Sequence, residues 1–350
     1  MKRLTREVTL GALAALVATV SISSDTKADS VAEFYRGKTI TINVGYGVGG
    51  GYDTLTRLVA RRFGNFIPGN PTIVVQNMPG SGSMLAANHL YNVAPKDGTV
   101  LAVFASTTAL EPLLGNQQAK FETAKFEWIG SIDKDVNSCA VWKGAGQSIK
   151  SLPDLIAAKK TVTFGASSPA ASSAQHAVFL NKMFGANLKV ITGYDGTNAV
   201  KLAMERGEVD AACGLSANSI RGAYRKQVES GDLQFFVQFG GEAEPLYGNA
   251  TNMHEMLKTD EDRRIANFIF RQTELAKPMA APPGTPKDRV AALRKAMLDA
   301  VNDPALKAET QKMGLEMIPI SGEETAKIFA EFIATPPNLI KKVPEYVQAK

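Results

Sequence analysis

An α/β protein of two lobes, each a mostly parallel sheet flanked by helices, is the fold the sequence predicts. From Lys38 onward, short β-branched runs alternate with longer stretches of helical periodicity, which is the signature of βαβ units. The alternation reaches about residue 108 and starts again near residue 128. With 350 residues the chain also exceeds the size at which one core stops growing, so two domains are the default.

The first unit is a strand over 39–46, a glycine loop, and a helix from about Tyr52 with Leu55, Leu58, Val59 and Phe63 at helical spacing. A strand over 72–76 follows, running through Asn77-Met78-Pro79-Gly80-Ser81-Gly82 into a helix that reaches Tyr91. A third strand, 99–105, ends at Ser106-Thr107-Thr108. The second block has strands over 128–132 and 138–142, then a helix with Ser151 as N-cap and Pro153 in its first turn. Next come a strand over 161–164, a loop over 165–171 and a helix over 172–184. A strand over 189–192 enters Gly193-Tyr194-Asp195-Gly196, a helix spans 197–206, and a strand over 209–213 ends at Gly214-Leu215-Ser216. The last third reads as mostly helical. Pro282-Pro283-Gly284-Thr285-Pro286 opens one helix there and Ser321-Gly322-Glu323-Glu324 another. The expected division is a leader over 1–28, a first lobe over 29–127 to which 240–350 returns, and a second lobe over 128–239.

The leader rests on Lys2, Arg3 and Arg6, an apolar run over 8–20, and the small-residue exit Thr26-Lys27-Ala28, which together order a secretory signal with cleavage after Ala28. A periplasmic location is therefore expected. Removal takes four of the 39 basic and two of the 34 acidic residues, bringing the formal charge from +5 to near +3. With no Lys/Arg cluster, that balance argues against nucleic acid as a partner. The two cysteines, Cys139 and Cys213, cannot build a zinc site with histidines as scattered as His89, His176 and His254, and no metal is expected. In an oxidising compartment the two thiols pair if their strands are neighbours, which spacing alone leaves open.

Gly45-Tyr46-Gly47-Val48-Gly49-Gly50-Gly51-Tyr52-Asp53 is the most informative stretch. Glycines let backbone approach a ligand closely, and the helix that follows presents unpaired N–H groups and a favourable dipole to an anion. The loop also satisfies G-x-G-x-x-G through Gly45, Gly47 and Gly50, but the acidic residue that would bind a ribose is replaced by Gln76 and Asn77. A dinucleotide enzyme is disfavoured on that ground, and no cofactor is expected. Hydrolysis fares no better, since no G-x-S-x-G elbow occurs. His176 reads as a surface or capping residue, and Glu323 and Glu324 as helix-start charges.

The order of Gly49-Gly50-Gly51-Tyr52-Asp53, Val74 to Gly82, Ala94-Pro95-Lys96-Asp97-Gly98-Thr99, Gly165 to Ser173, Gly193 to Gly196, Gly207-Glu208-Val209-Asp210 and Ala281 to Pro286 resembles the Bug-type (TctC-like) receptors of tripartite tricarboxylate transporters. The resemblance spans essentially the whole chain after the leader. It implies a two-lobe, type II, Venus-flytrap periplasmic binding protein, non-catalytic and monomeric, that holds a small carboxylate or amino-acid-like ligand and hands it to membrane transporter subunits. The implied first-lobe contacts are Tyr46, Gly49, Gly50, Gly51, Tyr52, Asp53, Pro79, Gly80, Ser81, Gly82, Ser106 and Thr107. Those of the second lobe are Ser167, Ser168, Ser172, Ser173, Tyr194, Asp195, Gly196 and Ser216.

Three departures from the family bear on the ligand. Gly45 and Gly47 flank Tyr46 where prolines are usual, Gln76-Asn77-Met78-Pro79-Gly80 lacks two charges of the usual Glu-Asn-Arg-Pro-Gly, and Asp195 stands where a lysine is frequent. A monocarboxylate, an amino acid or a ligand with an apolar body is expected ahead of a citrate-like trianion. A ligand-presenting sensor uses the same fold and stays open as an alternative, and an exported enzyme is the weakest reading.

Overall fold

The computed structural model describes residues 31–144, 149–240 and 243–348, and the expected leader lies outside them. Among the described residues no helix is long and apolar enough to cross a membrane. Two six-stranded sheets form the frame. The first contains β1 (Thr39–Val44), β2 (Thr72–Asn77), β3 (Val100–Val103), β4 (Glu127–Ser131), β11 (Pro278–Ala281) and β12 (Ile320–Ser321), in the order β12-β4-β11-β3-β1-β2. The second, in the order β10-β9-β5-β8-β6-β7, contains β5 (Asn137–Trp142), β6 (Val162–Ala166), β7 (Leu188–Thr192), β8 (Ala211–Ser216), β9 (Leu233–Gln238) and β10 (Thr251–Asn252).

Both sheets are mixed. β1 pairs in parallel with β2 and β3, and β6 with β7 and β8, as the βαβ pattern requires. β5 runs antiparallel to β8 and β9, and β11 antiparallel to β3 and β4. These are the strands with which the chain enters the second sheet and re-enters the first, and no βαβ crossover fixes their direction. Strand β4, expected to open the second lobe, pairs instead with β11 and β12 in the first sheet. The boundary at 128 therefore falls one strand early, and the chain crosses between Ser131 and Asn137. It returns later than residue 240, because β10 still pairs with β9.

The principal helices that aim at the site are α1 (Gly51–Phe66), α2 (Ser172–Phe184) and α3 (Thr197–Glu205). α1 buries Leu55, Leu58, Val59 and Phe63 in one core with Ile40 and Ile42 of β1 and with Leu293 and Met297. α3 does the same in the second lobe through Val200 and Met204, against Ala212 and Leu215 of β8. A third apolar cluster runs from lobe to lobe, from Phe104 and Trp128 to Phe164 and Phe236, and includes Phe239 and Phe270, whose rings stack at 4.6 Å. The expected Ser151 cap forms, accepting from the Asp154 amide, and Ser321 caps the helix that its segment was expected to open, accepting from the Glu324 amide. Cys139 on β5 and Cys213 on β8 lie on adjacent antiparallel strands and are joined as a disulfide.

The two crossings between the sheets lie side by side. Ile132 donates to the Lys277 carbonyl (3.0 Å), Ala276 to the Asp133 carbonyl (3.1 Å), and Asp135 to the Thr273 carbonyl (3.1 Å).

Candidate functional site

The loops at the carboxyl ends of β1, β3, β6, β7 and β8 face one another across the gap between the sheets, each leading directly into a helix start. Helix starts carry unpaired N–H groups, so this arrangement aims backbone donors from both sides at one place. The lobes meet closely. Gly47 donates to the Asp195 carbonyl at 2.9 Å, and Gln175 Nε2 donates to the buried Glu111 carboxylate at 2.8 Å. Two glycines make the approach feasible: a Cβ on Gly51 would fall 2.5 Å from Ser219 Oγ, and one on Gly82, at φ 66°, 2.4 Å from Ser168 Oγ.

Between the lobes lie two small cavities of about 40 Å³ each, both lined by Tyr52, Ser172, Thr197 and Gly214. The one nearer the crossings is also lined by Gly51, Ser106, Thr107 and Ser216, and the other by Tyr46, Ser167, Ser173 and Gly196. Ten of these twelve, all but Thr197 and Gly214, are among the contacts expected from the sequence. The rings of Tyr46 and Tyr52 lie 4.5 Å apart and tilted by 36°, and burial raises both phenols well above their ordinary range, so both stay neutral donors.

The other expected contacts have structural partners or lie at the rim. Asp53 is buried, and its carboxylate accepts from the Gly49 amide (2.9 Å), Arg57 Nε (2.8 Å) and Asn77 Nδ2 (2.8 Å). Arg57 and Asn77 also bond each other, and Asn77 holds the Tyr46 carbonyl. Asp53 is thus the clamp that shapes the glycine loop, and it already takes the Gly49 amide. Gly82 accepts from Thr108 Oγ1 at 2.6 Å, which places the turn of Pro79, Gly80, Ser81 and Gly82 against Ser168 at the seam between the lobes. Tyr194 packs against Gly165 and into the second-lobe core. Asp195 is exposed, beside Gly50 in an outer pocket of about 220 Å³. The N-cap of α3 is Gly196, with no side-chain cap, so Asp195 does not cap the helix.

The lining of the inner cavity also includes His176, Gln272, Thr273 and Lys277, which the sequence reading missed or misread. His176, expected at the surface, is fully buried, with Phe239 and Phe270 at 4.7 and 5.0 Å. Burial pushes its imidazole down to about 3, so the ring is neutral. Lys277 is 2% exposed; its Nζ lies 3.2 Å from Asp133 Oδ2 and 3.6 Å from Asp135 Oδ2. Burial would pull this ammonium down, but the two carboxylates outweigh it and hold Lys277 above its ordinary value. Asp133 also accepts from Asn218 Nδ2 and the Ile318 amide, tying the crossings to both lobes. Among the described residues no group of three or more His, Cys, Asp or Glu could hold a metal ion.

Comparison with known proteins gives a consistent outcome. The family model described as the tripartite tricarboxylate transporter family receptor matches residues 68–344. Among solved structures, the periplasmic binding protein BugD aligns with a TM-score of 0.72 at 19% identity, over 90% of this chain and 100% of that one. MatC from Rhodopseudomonas palustris, solved with malate, aligns at 0.69 and 18% identity over 87% and 99%. An R. palustris protein solved with adipate aligns at 0.67 and 16% identity over 87% and 97%. These likenesses establish the two-lobe fold. Among curated protein sequences, none matches this chain.

Proposed function

Because the chain belongs to the receptor family of tripartite tricarboxylate transporters, we propose that it captures a small carboxylate-bearing metabolite between its lobes in the periplasm and delivers it to the membrane subunits of such a transporter. The observation that carries this is the inner cavity. Hydroxyls from both lobes (Ser106, Thr107, Ser172, Ser216), the helix starts at Gly51 and Thr197, and the buried Lys277 ammonium converge on one enclosed space. Donors so arranged suit an acceptor-only carboxylate. That relatives in fold were solved with malate and adipate supports the same ligand class.

The mechanism is a clamp. About 40 Å³ is far less than the roughly 300–1,000 Å³ of ordinary ligand pockets, so the lobes must part to admit a metabolite. The paired crossings at 132–136 and 271–277 are the hinge, with residues 31–131 and 278–348 as one lobe and 137–270 as the other. Bonds such as Gly47 to Asp195 and Gln175 to Glu111 re-form on closure. The receptor acts alone as a monomer and performs no catalysis.

A thermal-shift screen across mono- and dicarboxylates and amino acids tests this reading. A ligand at 100 times its dissociation constant adds about 2.7 kcal/mol of apparent stability. With phosphorylated compounds and neutral sugars as controls in the same screen, a transition shifted only by those controls refutes a carboxylate receptor.

A further inference from the structure

The inner cavity holds unpartnered buried polar atoms, two of which are acceptors that a carboxylate cannot satisfy. Thr107 Oγ1, both ring nitrogens of His176 and Gln272 Oε1 are buried without a hydrogen-bond partner. All three residues line this cavity. Gln272 Nε2 is already committed to the Ile269 carbonyl at 2.5 Å, which fixes the amide so that Oε1 is the atom left over. A neutral imidazole offers one N–H and one bare nitrogen. Two acceptors, Gln272 Oε1 and one His176 nitrogen, therefore wait for hydrogen-bond donors, and an unmet buried acceptor costs more than a made bond returns.

We propose that the ligand is a carboxylate that also carries a hydrogen-bond donor, a hydroxyl or an ammonium, near its carboxyl end, and that His176 and Gln272 are the specificity-determining residues that receive it. This rests on the carboxylate-receptor reading and narrows it. The division of labour follows from the chemistry of each group. Lys277, Thr107 and Ser106 donate to the carboxylate. The bare His176 nitrogen and Gln272 Oε1 accept from the hydroxyl or ammonium. A plain alkanoate or alkanedioate fills the same space but leaves both acceptors buried and unmet. A site built to bond a ligand hydroxyl rejects the analogue lacking it far more strongly than an apolar pocket rejects a change of size. His176 suits this role because Phe239 and Phe270 beside it contain no group that could compete for its nitrogens.

The test is calorimetric titration with matched probes that differ by one substituent: lactate against propionate, malate against succinate, and aspartate against succinate. The expected result is that within at least one pair the donor-bearing member binds about tenfold or more tightly. In His176→Phe, which keeps an aromatic ring between the two phenylalanines, and in Gln272→Met, that preference falls to about twofold or less. Unliganded melting of each variant shows whether it folds, and the wild-type ratio stands as a test even where a variant does not. Equal affinity within every pair overturns this inference and leaves the carboxylate receptor standing. A preference that survives in both folded variants overturns the assignment to His176 and Gln272. Binding of none of the probes overturns both readings.

Discussion

Replacing Lys277 with methionine removes the one cation between two buried carboxylates while nearly keeping the side chain's length and volume. In the native protein Asp133 and Asp135 are 1% and 8% exposed, and Lys277 is the ammonium they share. Breaking a buried pair by deleting one partner leaves uncompensated charge and costs about 3–5 kcal/mol. The sign of the pH dependence follows from Asp133, whose carboxyl is already raised by burial against the pull of Lys277. Without Lys277 it rises further. A group raised in the folded state destabilises above that folded value and recovers as the pH falls through it, because the folded protein then binds the proton more readily than the unfolded chain. Lys277 itself, raised above 10.5, contributes fully below that value and loses its contribution only as the pH climbs past its folded value, so its own titration adds no pH dependence near neutrality. Urea unfolding followed by circular dichroism at about pH 5 and about pH 7.5 reads both effects. The variant's deficit should be the full 3–5 kcal/mol at the higher pH and clearly smaller at the lower. A deficit under about 1 kcal/mol, or one equal at both pH values, would refute this account of the crossings.

The disulfide closes a sequence separation of 74 residues, so reduction should lower stability by about 4–5 kcal/mol, and thiol titration of unreduced, denatured protein should find no free thiol. Two titratable thiols in protein from an oxidising compartment would contradict it. Gly51→Ala puts a methyl 2.5 Å from Ser219 Oγ across the seam, so it should cut ligand affinity about tenfold or more, with Ser219→Ala restoring part of the loss. Calorimetry that finds full affinity in Gly51→Ala would show that closure does not bring these groups together. Asp195→Asn should leave stability unchanged, since Gly196 is the cap, and should move affinity by no more than about twofold, since it is the Asp195 carbonyl that meets Gly47. A tenfold loss would place the Asp195 carboxylate on the ligand. Small-angle scattering with a saturating ligand should give a smaller radius of gyration than without one, and an unchanged profile would argue against the clamp.

What the sequence made legible was local. The strand ahead of the glycine loop, the start of α1, the helix over 172–184, the Ser151 cap and the helix opened at Ser321 all depend on neighbours within a turn or two, and periodicity and capping chemistry read them directly. Which sheet a strand joins is a long-range matter. Nothing within residues 127–131 says that their partners are Pro278–Ala281 and Ile320–Ser321, so β4 looked like the start of a new lobe. Asp53 shows the same limit at the level of one side chain. The family resemblance makes it a ligand contact, whereas the Gly49 amide, Arg57 and, 24 residues on, Asn77 together make it a loop clamp.

The inner end of the cleft was hidden for a deeper reason. Residues 271–277 carry no glycine loop, no cap and no periodic face, and Gln272 and Lys277 look in sequence like ordinary surface polar residues. They become part of the site because the return crossing lies against the outgoing one, held by backbone bonds from 132 and 135 to 277 and 273. His176 had the opposite problem. Its place on the helix over 172–184 was read correctly, but burial comes from Phe239 and Phe270, more than 60 residues later. A polar group on a local element gains its chemistry from whatever closes over it, so the loops at strand ends mark one side of the cavity in the sequence, while the crossings between the lobes, silent in the sequence, supply the lining of its inner end.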